Sequence, residues 1–120
     1  MAHRYNAACA ALLLATGTTA QTIILDPSET ARLKHQALLW LDSELAACKE
    51  IAGNLEPKAI MSLIETLEQW LRDSNLASLR GDKQIKQLPD EDQQVCRKLW
   101  TEHRELVERL RLGLAATKGQ

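Results

Sequence analysis

Residues 26–53, DPSETARLKHQALLWLDSELAACKEIAG, decide the fold class. Asp26 has the short side-chain carboxylate that accepts from the free N–H groups of a helix start. Pro27 suits the first helical position, because its fixed φ is already helical and its missing N–H would have no partner there. Glu29, three residues after Asp26, completes a capping box. From there Leu33, Ala37, Leu41 and Leu45 recur at helical spacing, with Trp40, Cys48 and Ile51 beside them. Gly53-Asn54 is the stop signal. The stretch predicts one long amphipathic helix ending near Ala52.

The same grammar repeats outward. Pro57 opens a second pattern to about Asp73, with Ile60, Leu63, Ile64, Leu67, Trp70 and Leu71 as its apolar face. Residues 74–88 are mixed, with Leu76, Leu79, Ile85 and Leu88 available as anchors, and a short helical turn is expected near Lys83 to Gln87. Pro89 opens another helix, with Asp90, Glu91 and Asp92 complementing the positive end of its dipole. Its stripe is Val95, Leu99, His103, Leu106 and Leu110, and residues 112–120 are expected to fray. Towards the N-terminus, Tyr5, Ala8, Cys9, Leu12 and Ala15 follow helical spacing and Gly17 ends them, which predicts a helix over about 3–16. Thr18 to Leu25 reads as an extended connector. Residues 1–20 also admit a signal-peptide reading: basic Arg4, an Ala-rich apolar run, and Thr18-Thr19-Ala20 as a cleavage site.

Composition narrows the class. One modest core fits 120 residues, read as a single α-helical domain over 1–120. With no Phe and aromatics at 3%, that core must be built mainly from Leu, Ile and Ala; Leu and Ala are good helix formers and β-branched residues are sparse, which favours helix over sheet. Net charge is −1 and no basic stripe exists to neutralise phosphates, so nucleic acid is excluded as an expected partner. No apolar run approaches the roughly 20 residues of a membrane-spanning helix, so no membrane association is expected.

Chemistry-bearing residues are few. Cys9, Cys48 and Cys96 form no CxxC pair. They read as three free thiols, or, in a secreted protein, as a Cys48–Cys96 disulfide with Cys9 left over. His103 and Cys96 share one helix face and with Cys48 could make half a metal site; the alternative is a histidine at the edge of a core. His35 lies among charged residues and reads as solvated. Glu65/Glu68 and Glu102/Glu105 are spaced as exposed helix faces, not as acid/base pairs. Residues 104–111 alternate charge with Leu and Val, an amphipathic pattern that serves either a core-facing helix or a groove ligand. No nucleophile motif, phosphate loop or cofactor motif is present, so no enzyme and no cofactor are expected.

Two stretches resemble a bacterial family. Tyr5-Asn6-Ala7-Ala8-Cys9-Ala10-Ala11, ending at Gly17, looks like the first helix of a tetratricopeptide (TPR) repeat, with residues 27–52 as the second helix and Ala37 at the close contact. Ala31 to Leu41, Trp70-Leu71-Arg72-Asp73-Ser74-Asn75-Leu76-Ala77-Ser78-Leu79-Arg80, Gln87-Leu88-Pro89 and Leu99-Trp100 are similar to the tail after the last TPR units of large bacterial serine/threonine kinases. Such tails read roughly RxQALxWLxxxL, WxxDxDLAxLRD, LPxxE and LW. The chain departs from the pattern at Thr18 to Leu25, where the family carries a charged, Gly-containing linker, and it has no kinase domain. It thus looks like a detached C-terminal piece, either a truncated gene or a stand-alone paralogue.

The resemblance implies an antiparallel helical array: a TPR-like pair over 1–52, then two or three capping helices over 53–120. It favours an intact N-terminal helix, a cytoplasmic location and a non-catalytic role in protein–protein interaction or scaffolding. Tyr5, Ala8, Leu12 and Leu13 cannot all face the second helix. They are the expected docking face, for another TPR array or a second copy of the chain. A periplasmic or secreted helical protein with a cleaved leader is the rival reading, and an export-type chaperone the third.

Overall fold

The structure is a computed structural model that describes residues 3–16 and 26–118. The fold is all-α. Its helices are α1 (His3–Thr16), α2 (Pro27–Ala52), α3 (Pro57–Arg72), α4 (Asp82–Ile85) and α5 (Asp90–Lys118), with a 3-10 segment over Ser74–Leu79 between α3 and α4. The molecule measures 56 × 28 × 20 Å.

The start of α2 works as its sequence indicates: the Asp26 carboxylate accepts from the Glu29 amide at 2.8 Å. The capping box is only half made, because the Glu29 carboxylate turns to the Arg32 guanidinium instead of back to Asp26. At the far end Gly53 keeps φ at −76°, so the helix stops without a left-handed residue. The long helix α5 follows Pro89, whose carbonyl accepts from the Gln93 amide.

Packing follows the apolar stripes. α1 lies along α2 and also rests on the 3-10 segment, while α5 packs against both α2 and α3. Arg4 at the start of α1 reaches Glu44 in the second half of α2, the sense of an antiparallel pair. Ala8 and Ala37 are both fully buried, and side chains this small let two helices come close. The contacts His35–Asp92 and Lys49–Glu102 advance together along α2 and α5, so those helices run parallel. Leu38, Leu41, Leu45, Leu67, Leu76, Leu79 and Leu99 form the centre of one continuous core. Burying each such side chain contributes about 1.5–3 kcal/mol.

The segment after Asp73 forms a 3-10 helix, and its expected anchors Leu76, Leu79, Ile85 and Leu88 are all buried. The expected helical turn near 83–87 is present at Asp82–Ile85. Two sequence expectations need correction. α5 continues to Lys118 rather than fraying from Leu112. Leu71 and Ile51, assigned to apolar faces, are exposed. The connector Thr18–Leu25, the stop at Gly17 and the question of a cleavage site at Ala20 lie outside the described residues.

Candidate functional site

Polar chemistry concentrates where α1, α3, the 3-10 segment and α5 meet. Asp73 ends α3 and caps the 3-10 segment, its carboxylate accepting from the Asn75 amide at 2.9 Å. The same carboxylate takes the Tyr5 phenol and, at 3.8 Å, the Cys9 thiol. Arg80 closes the segment from the other side, its guanidinium donating to the carbonyls of Trp70 and Asp73. Burial and the adjacent Asp73 hold the Tyr5 phenol protonated, well above the ordinary tyrosine range. Burial likewise raises Cys9.

An aromatic row runs through this junction. Tyr5 stacks on Trp70 with centroids 5.4 Å apart, Trp70 lies 5.5 Å from His103, and Trp100 meets His103 nearly edge-on at 5.4 Å. His103 is buried and donates through Nε2 to the Leu67 carbonyl at 2.7 Å. The Leu79 carbonyl accepts from both the Trp100 indole N–H and the Cys96 thiol. Burial pushes the Cys96 thiol up to about 11. It also raises Cys48.

The half metal site proposed for Cys48, Cys96 and His103 is not assembled. Cys96 and His103 donate to different carbonyls, and among the described residues no group of three His, Cys, Asp or Glu side chains converges on a point. A Cys48–Cys96 bridge is also contradicted, since all three cysteines are free. Parallel packing explains this. Cys48 follows the α2 register that faces Glu102, six residues or roughly 9 Å along α5 from Cys96. A disulfide requires Cα atoms within about 7 Å.

The docking face expected at Tyr5, Ala8, Leu12 and Leu13 is likewise revised. Ala8 and Leu12 are fully buried, and Tyr5 and Leu13 are half-buried. α1 lies between α2 and the 3-10 segment, so two neighbours cover a helix that the sequence alone pairs with one. His35 is not simply solvated: its Nδ1 lies 2.7 Å from the buried Asp92 carboxylate. The Tyr5–Asp73 pair and the Trp100–Leu79 bond gave no local signal, because each joins residues distant in sequence. The WLRDSN stretch, with an Asx-type residue after an apolar helix, was the available hint of a cap.

Exposed apolar side chains lie elsewhere. Leu112 of α5 is 72% exposed, Leu71 and Met61 of α3 are 50% and 46%, and Leu39 of α2 is 42%. A shallow groove also runs between Pro27, Thr30 and Lys34 of α2 and the Gln87-Leu88-Pro89 turn. No described helix is long and apolar enough to cross a membrane. Comparison with protein-family models, curated proteins and solved structures gives no match.

Proposed function

We propose that this chain is a non-catalytic protein–protein interaction module, of the kind found as the C-terminal TPR-associated tail of bacterial serine/threonine kinases. The observation that carries this reading is how its reactive groups are employed. Tyr5, Cys9, Cys96, Trp100 and His103 each direct their polar atom to a carboxylate or carbonyl that ties two elements together. Raised thiols and a buried imidazole suit a scaffold and are poorly suited to nucleophilic work. What the chain offers outward is exposed apolar surface on α3 and the end of α5, with Met61, Leu71 and Leu112 as the candidate contacts.

The partner in this reading is a protein, either another TPR array or a second copy of the chain, met in the cytoplasm. Free thiols fit a reducing compartment. The contribution of Ala8 and Leu12 to the core fits retention of the N-terminal helix.

The test compares wild type with a Leu71→Glu/Leu112→Glu variant. Both are passed over an immobilised TPR–kinase chain from the same host and run in sedimentation velocity over a concentration series. Binding or self-association by wild type, lost in a variant of unchanged stability, supports the module. A wild type that stays monomeric and binds no such chain ends the reading.

A further inference from the structure

Among the described side chains, His103 is the histidine that the core encloses, at 1% exposure. Its ring lies between Trp70 of α3 and Trp100 of α5 and joins those two helices through the Leu67 carbonyl. We propose that His103 is an acid-sensitive latch between α3 and α5: the neutral ring holds the helices together, and a second proton on it releases α3. The inference does not depend on which partner the chain binds.

The argument is one of solvation. A neutral imidazole with Nε2–H satisfies Leu67 and leaves no net charge in the core. An imidazolium in the same place is a buried cation, and such a cation is stable only with a counter-charge or water. Several charged groups of the surrounding elements are engaged in pairs of their own. Glu68 of α3 pairs with Arg111, and Glu102 of α5 pairs with Lys49 of α2 and Lys98. Asp73, beyond Trp70, receives Tyr5 and Cys9, and Arg80 caps the carbonyls of Trp70 and Asp73. The Cys96 thiol donates to Leu79. Trp70, tilted over the ring, offers a cation–π attraction that offsets part of the loss. Burial outweighs the carbonyl contact, so the ring's proton affinity falls below the ordinary histidine value. To be hydrated, the cation must leave the gap between the indoles, and the Leu67 bond breaks with it.

The direction in pH follows. A depressed affinity in the folded state means the unfolded or opened chain takes the proton first. Stability from this site is complete above the unfolded value near 6.5 and declines as pH falls below it, by up to tenfold in the closing equilibrium per pH unit. The other described contact of this kind, His35–Asp92, is half exposed on the histidine side and serves as a control.

The experiment is a titration of the His103 ring by NMR, with amide-exchange protection factors measured at pH 7.5 and 5.5. Wild type, His103→Gln and His35→Gln are compared. The expected result is a His103 ring that titrates below 6.5 and α3 protection several-fold lower at pH 5.5, up to a ceiling of about tenfold. His103→Gln should flatten that change and His35→Gln should keep it. A ring titrating at or above 6.5, α3 protection that is equal at both pH values, or an equal loss across α1 and α2 overturns the latch. The wild-type titration decides the matter even if His103→Gln does not fold.

Discussion

The Tyr5 phenol donates to the Asp73 carboxylate across a separation of 68 residues, fastening the first helix to the end of the third. Asp73 also serves Cys9 and the Asn75 amide, so three donors depend on one side chain. Asp73→Ala leaves all three without that acceptor and is expected to cost on the order of 2–3 kcal/mol, against about 1 kcal/mol for Tyr5→Phe. Urea unfolding followed by tryptophan fluorescence measures both. The double mutant should show a coupling of at least about 0.5 kcal/mol. Strict additivity would mean the bond contributes nothing.

Core and surface positions on apolar stripes should separate cleanly. Leu12 is fully buried between α1's two neighbours, so Leu12→Ala is expected to cost roughly 2–5 kcal/mol. Leu112 is 72% exposed, and Leu112→Glu should stay within about 0.5 kcal/mol of wild type. Thermal or urea unfolding of the two variants checks this. A tolerated Leu12→Ala would return α1 to the surface.

The cysteines should be three slow thiols. With Cys96 raised to about 11, roughly one part in a thousand is thiolate at pH 8. Burial hinders the other two in the same direction. A thiol reagent at pH 8 should label the folded protein more than tenfold slower than the denatured chain. In denaturant without reductant, three thiols should be counted per monomer; two fewer would require a disulfide.

Two glycines should respond with opposite sign. Gly81 has φ of 83°, and an added Cβ would sit 2.7 Å from the Gln84 Oε1. That side chain can swing aside, but the left-handed backbone cannot, so Gly81→Ala is expected to cost about 1–2 kcal/mol. Gly53 has φ of −76° with nothing within 4 Å of its added Cβ. Gly53→Ala should stabilise by about 0.4–1 kcal/mol through the unfolded chain. Paired melting curves decide it, and equal signs would refute the assignment of strain to Gly81.

Sequence by itself determined the helices and most of their inward faces. Asp26-Pro27, Pro57 and Pro89 fix starts through backbone chemistry acting within four residues. Leu99, His103, Leu106 and Leu110 share a face because the helical period puts them there. Such signals are local and need no knowledge of the neighbours. Tertiary structure decided the rest. Whether Ala8 and Leu12 are covered depends on the 3-10 segment lying against α1, an arrangement set by Asp73 meeting Tyr5 and Cys9. Whether Cys48 can meet Cys96 depends on α2 and α5 running parallel, and whether His103 is an edge residue or an enclosed one depends on two indoles from different helices. A periodic pattern names the face a helix buries, but it carries no record of which element covers that face or how many do, because long-range contacts form between residues whose local sequences are independent.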